Sequence, residues 1–220
     1  MTPGELRQKT QDHWLDAESQ DAMRQYIQVL LPHELNYARS HNAIPSCPHQ
    51  CDWLALLVGY SWEPLLQAVC AYNPRNVLLV LNEHYGEKSG VVFGRELKEI
   101  IHALPQELYP AAGEVQIHPD PLEPAGERPG QIFRFLRDYF VPRLRGAERP
   151  RIVLDITGAK KSMVAGAYLF GAYANVVLSY VDFDEYDEKR GKPYGYITAA
   201  RNKIKVRLGR RIAHTDGESN

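Results

Sequence analysis

From Trp53 onward the chain alternates short apolar runs with longer stretches whose apolar residues recur every three or four positions. Leu54–Val58, Ile152–Leu154 and, after its leading Asn76, Asn76–Leu81 are unbroken apolar runs of strand length, Val176–Val181 is interrupted only by Ser179, and Glu114–His118 is a weaker run. Runs without polar alternation suit strands buried on both faces. Between them lie stretches of helical spacing: from Pro64 to about Tyr72, Gly94–Leu104, Gln131–Val141 with Ile132, Phe135, Leu136 and Tyr139 on one face, and Ser162–Tyr173. This alternation predicts right-handed βαβ units, hence an α/β, Rossmann-like, mostly parallel sheet with helices on both faces. Tyr194–Thr198 and Lys203–Leu208 read as a closing hairpin. In such a sheet ligands bind beyond the C-terminal strand ends, where the strand order reverses.

The first fifty residues follow a different pattern. Trp14, Met23, Ile27, Leu30 and Leu31 step at mostly helical intervals, Pro32 interrupts the run, and a second short helix is predicted over His33–His41. The expected organisation is a helical extension and connector over 1–50, the Rossmann-like domain over 51–211 and a disordered tail over 212–220. The extension is expected to cover a neighbour or a partner subunit, and nothing in it carries chemistry.

Composition narrows the function classes. With 220 residues, 44% hydrophobic and 24% charged, the chain has the make-up of a soluble globular protein. A net charge of -1 argues against a surface built for duplex nucleic acid, so any anion must be met by locally placed Lys and Arg. No apolar run approaches the ~20 residues that span a bilayer, and the polar start has no signal-peptide core, so no membrane partner and a cytoplasmic location are expected. Three cysteines fit a reducing compartment. Cys47 and Cys51, with His41 and His49 near them, lack the second ligand pair of a structural zinc site, so no metal and no cofactor are expected. The acidic run Asp182, Asp184, Glu185, Asp187, Glu188 and the basic stripe from Arg201 to Arg211 read as solvated faces.

Two turns hold the candidate chemistry. After the Ile152–Leu154 strand comes Asp155-Ile156-Thr157-Gly158-Ala159-Lys160-Lys161-Ser162, leading straight into a helix. A helix start leaves backbone N–H groups unpaired and its dipole favours anions, while the lysines add full charges and Gly158 lets a ligand approach the backbone. The expected ligand is phosphorylated. Asp155 does not suit a phosphate and is assigned to the turn's backbone, to Thr157, or to a ribose or base. After the first strand comes Gly59-Tyr60-Ser61-Trp62-Glu63-Pro64. Here Ser61 offers a hydroxyl and Trp62 a ring that could stack on a base; a plain helix cap with Trp62 in the core explains the same residues. Asn82 and Tyr85, at the end of the second strand, are further candidates for a base. Neither turn is a P-loop or a dinucleotide fingerprint: Lys160 stands where the P-loop needs glycine, and G-x-G-x-x-G is missing.

Together, Leu56–Leu66 (LLVGYSWEPLL) and Asp155–Met163 (DITGAKKSM) resemble the CARF domain, the CRISPR-associated Rossmann fold that senses cyclic oligoadenylates in type III CRISPR immunity. The first is similar to the family's G-x-S-x-E-P turn and the second to its D-x-T-G-G-T-K-x-M turn. Ala159 replaces a usual glycine and Lys160 a usual threonine; Lys161 keeps the lysine position. The resemblance implies a homodimer that binds one twofold-symmetric ring, cyclic tetra-adenylate, across its interface, with Gly59, Tyr60, Ser61, Trp62, Glu63, Asn82, Tyr85, Asp155, Thr157, Gly158, Ala159, Lys160, Lys161 and Ser162 as ligand contacts. Three fates of the ring follow: a sensor passing the signal to a separate effector, a sensor cut from a longer effector chain, or a ring nuclease. In the last, Ser61 and Lys161 would be catalytic, cleaving without metal to 2′,3′-cyclic phosphate ends. With no His or carboxylate in either turn placed as a general base, such cleavage is expected to be slow. Outside the family, the alternative is an unrelated nucleotide-binding α/β protein.

Overall fold

The computed structural model describes residues 1, 2, 5, 8, 9, 12, 13, 20–40, 51–146, 148–180, 185–187 and 192–194. Five parallel strands form the central sheet: β1 (Trp53–Leu57), β2 (Asn76–Val80), β5 (Gln116–His118), β6 (Ile152–Asp155) and β7 (Val177–Ser179), in the order β5-β2-β1-β6-β7. From β1 the chain moves outward through β2 to β5, then returns to the other side of β1 for β6 and moves on to β7. The strand order therefore reverses between β1 and β6. The register aligns Leu56 with both Leu79 and Asp155, so β1, β2 and β6 end on one level.

Alternate residues of each buried strand feed two cores. Leu54, Leu56 and Val58 face one, with α3 (Glu63–Tyr72) and α4 (Gly90–His102); Trp53, Ala55 and Leu57 face the other, with α5 (Pro129–Leu144) and α6 (Lys161–Ala174). This is the two-sided burial that the unbroken apolar runs require. Helix α4 begins four residues earlier than its apolar spacing predicts, because the Ser89 hydroxyl accepts from the Val92 N–H and caps it. A two-residue hairpin, β3 (His84–Tyr85) with β4 (Lys88–Ser89), precedes α4 and carries too few residues to leave a periodic signal.

The N-terminal segment departs from expectation at Pro32. Pro32 does not interrupt the helix: α1 (Gln20–Gln25) passes through a π-turn (Tyr26–Leu30) into α2 (Leu31–Ser40), with the Leu31 N–H donating to the Tyr26 carbonyl five residues back. The widened turn accommodates a proline in the following turn. The segment packs against α3 of its own chain, the first of the two settings expected for it. Tyr26, Leu30, Leu31 and Leu35 join the core beneath α3, and burying Leu31 and Leu35 completely is worth roughly 1.5–3 kcal/mol each.

A polar network lies within that contact. The Tyr26 hydroxyl donates to Glu34 Oε2 at 2.8 Å, Gln67 Nε2 donates to the same oxygen at 2.8 Å, and His13 Nε2 lies 2.9 Å from Glu63 Oε1, all of them buried. No helix among the described residues is long and apolar enough to cross a membrane. Glu185–Asp187 and Lys192–Tyr194 form a two-stranded antiparallel pair. The CPHQC loop up to Gln50, Asp182, Asp184, Glu188, the basic stripe, the rest of the expected hairpin and the tail lie outside the described residues.

Candidate functional site

The reversal between β1 and β6 puts the two candidate turns side by side on one rim. They touch backbone to backbone: a Cβ on Gly59 would lie 1.6 Å from the Gly158 carbonyl oxygen. Only glycine allows this approach. Tyr85 extends the rim to β2, its hydroxyl donating to the Val58 carbonyl at 3.0 Å and accepting from the Asn82 N–H at 2.9 Å.

In the β6 turn, Asp155 is fully buried, and its Oδ1 accepts from the Thr157 N–H at 3.1 Å. Burial raises this carboxyl to about 6, against the opposing pull of Thr157 and Ser179. Asp155 thus shapes the turn from within, one of the tasks its position in the sequence predicts. The Ala159 methyl packs on the core of α5 and α6. Lys160 is the N-cap residue of α6 and provides no side-chain cap, so it leaves the first-turn N–H groups of α6 uncapped. Its ammonium pairs with Glu127 Oε1 at 2.7 Å instead. Lys161 is exposed and forms no ion pair among the described residues. Its charge and the positive end of the α6 dipole face outward together.

In the β1 turn, Ser61 is half-buried, does not cap α3, and its hydroxyl has no hydrogen-bond partner among the described residues. Tyr60 is 65% exposed yet held in place: its hydroxyl accepts from the Gly86 N–H at 3.1 Å and its ring meets Tyr85 edge-on at 5.7 Å.

Trp62, Glu63, Asn82 and Tyr85, expected to meet the ligand, are turned into the frame. The Trp62 indole packs against Phe93 at 5.1 Å. Glu63 faces His13, and Asn82 is 1% exposed. Tyr85 is 3% exposed and stacked on Phe93 at 4.0 Å. A large aromatic surface is cheaper to keep under α4 than in water. Tyr60 is therefore the most exposed aromatic of the predicted set.

Beside the two turns lies an open depression of about 590 Å³, lined by Glu83, Glu127, Arg128, Pro129, Gln131 and Ser162. Glu83, Glu127, Arg128 and Pro129 come from segments without helical or strand spacing, and Gln131 from the start of a predicted helix. They reach the rim because the Ala125 N–H donates to the Leu81 carbonyl at 2.9 Å, which ties the loop before α5 to the end of β2. Loop residues have no periodicity, so nothing in the sequence marked Glu83, Glu127, Arg128 and Pro129 as lining.

No protein-family model matches the chain, and no curated protein matches it by sequence. Among solved structures, the chain is similar to Can2 from Sulfobacillus thermosulfidooxidans, solved in complex with cyclic tetra-adenylate, at 16% identity and a TM-score of 0.45 over 65% of this chain and 35% of that one. It is likewise similar to Enterococcus italicus Csm6, solved bound to cyclic hexa-2'-fluoro-hexa-dAMP, at 17% identity and a TM-score of 0.44 over 66% of this chain and 35% of that one. The likeness thus extends over about a third of the length of either protein.

Geometrically, the rim can hold a phosphorylated ligand that also carries an aromatic base. Lys161 and the α6 first turn supply positive potential, Ser61 a hydroxyl without a partner among the described residues, and Tyr60 a stacking face. Among the described residues no group of His, Cys, Asp and Glu is arranged to hold a metal ion.

Proposed function

We propose that this protein is a CARF-type sensor that binds a cyclic oligoadenylate, cyclic tetra-adenylate first among them, at the rim between β1 and β6. One observation carries the reading: the two turns that resemble the family's ligand turns come from distant parts of the chain and touch at Gly59 and Gly158. Lys161 and the α6 N–H groups take a phosphate, Ser61 a phosphate or ribose oxygen, and Tyr60 an adenine face. Stacking of this kind is worth roughly 1–3 kcal/mol per base. Roughly 300–1,000 Å³ encloses a drug-sized ligand, so the depression of about 590 Å³ suits a nucleotide-sized portion of a ring. A ring of several nucleotides then needs the rims of two copies, which favours a homodimer with its twofold axis through the ligand.

The bound ring is passed as a signal to an effector, supplied separately or as part of a longer chain. Slow cleavage is a second outcome, favoured by the Ser61 hydroxyl, which has no partner among the described residues. In it a ribose 2′-hydroxyl attacks the adjacent phosphorus, the bond to the 5′-oxygen breaks, and a 2′,3′-cyclic phosphate and a 5′-hydroxyl result. Ser61 and Lys161 would align the attack and stabilise the developing charge.

Incubation with cyclic tri-, tetra- and hexa-adenylate, followed by chromatography of bound and free nucleotide, tests both outcomes. Retention of intact cyclic tetra-adenylate is expected. Linear products with 2′,3′-cyclic phosphate ends assign a nuclease, and failure to retain or alter any of the three rings rejects the reading.

A further inference from the structure

We propose that Glu127 is a built-in competitor at this rim, a carboxylate that holds Lys160 until an anionic ligand displaces it. The proposal rests on the reading of the rim as a phosphate site. Four observations support it. Glu127 Oε1 lies 2.7 Å from Lys160 Nζ, across a span of 33 residues. Lys160 is the residue that leads into α6, so the carboxylate is held beside the first turn where a phosphate would sit. Glu127 also lines the depression together with Ser162 of that turn. Finally, its charge reaches the centre of the rim: burial pushes the Tyr85 phenol up, the Asn82 backbone draws it back, and Glu127 adds to the rise.

The pair is weak enough to exchange. Its two side chains are 43% and 39% exposed, and an exposed ion pair contributes at most about 1 kcal/mol. A phosphodiester accepts hydrogen bonds from the same ammonium and gains the α6 dipole as well, which Glu127, reaching over from the α5 side, shares less fully. Glu127 thereby sets a threshold. A single weak anion has little to gain from evicting it, whereas a polyanion anchored at Lys161 brings a second phosphate to Lys160 at high local concentration. The consequence is selectivity for multiply charged phosphodiesters over small monoanions, obtained without any contact to a base.

The test is a coupled set of affinities for cyclic tetra-adenylate at low salt, measured calorimetrically on the full chain, for the parent, Glu127→Gln, Lys160→Met and the double variant. In the parent background Glu127→Gln should tighten binding about fivefold, the worth of one exposed ion pair, and the gain should shrink as salt is raised. In the Lys160→Met background the same change should gain less than twofold. Equal gains in both backgrounds would make Glu127 a general repulsive charge and overturn the latch while leaving the phosphate site standing. Weaker binding by Glu127→Gln would make Glu127 a ligand contact and overturn it also. Absence of binding in all four proteins removes the phosphate site and the latch together.

Discussion

Replacing Asp155 with Asn gives the sharpest check on how this rim is built. The carboxyl is fully buried, and burial raises it to about 6 from 3.8. Its folded value thus lies above its unfolded value, so below about pH 4 both states carry the proton and the group costs nothing. Between pH 4 and 6 the folded state holds the proton more tightly, and stability falls as pH rises through that window. Roughly two pH units at about 1.4 kcal/mol each make the ionised carboxylate cost about 3 kcal/mol at neutral pH. That is a large share of the ~5–15 kcal/mol that holds a domain together. Asparagine keeps an oxygen to accept from the Thr157 N–H and never ionises. Asp155→Asn should therefore match the parent near pH 4 and exceed it by about 3 kcal/mol at pH 7.5, or roughly 6–12 °C in Tm for a protein of this size. Urea unfolding followed by circular dichroism at both pH values measures the difference, and other carboxylates cancel in the comparison. Parallel pH profiles for the two proteins, or a less stable Asn variant at pH 7.5, would refute the reasoning. A stabilised variant that also binds ligand more weakly would identify Asp155 as a group kept for the turn it shapes, at the expense of the fold.

Other substitutions test the remaining parts. Lys161→Ala should weaken cyclic tetra-adenylate binding at least tenfold without lowering Tm by more than about 2 °C, because the side chain is exposed and supports nothing; unchanged affinity would remove the anion turn. Gly59→Ala forces a methyl into the Gly158 carbonyl, so the turns must part; a loss of about 1–3 kcal/mol in stability together with loss of binding is expected, measured by thermal unfolding and calorimetry. Tyr60→Phe should bind adenylate nearly as the parent does, while Tyr60→Ala should lose about fivefold or more; equal behaviour of the two variants would contradict a stacking role. His13→Ala leaves Glu63 without its 2.9 Å partner in a buried site and should cost about 3 kcal/mol in unfolding free energy, with faster proteolysis ahead of Trp53 as the visible sign that the N-terminal segment has loosened.

Strand and helix identities were legible in the chain because periodicity reports burial directly. The runs at Leu54, Val77 and Ile152 had to be buried strands, and the spacing through Ile132, Phe135, Leu136 and Tyr139 had to be a helix. The two candidate turns were legible as well, since Gly59, Gly158 and Lys161 sit where a strand passes into a helix, and such junctions carry local rules of their own. Their meeting follows from the strand order, which periodicity along the chain does not report.

Tertiary structure alone decided which side chains remain available at the rim. Trp62, Tyr85 and Tyr60 are all aromatic residues in turns, and their local sequences do not distinguish them. Phe93 of α4 covers the first two, and the hairpin of β3 and β4 holds the third in the open. Only the fold brings Glu127 across to Lys160, and only the fold buries Asp155 deeply enough to change its acidity. Local conformation depends on neighbours along the chain, whereas exposure and charge depend on neighbours in space, which packing assigns from distant segments.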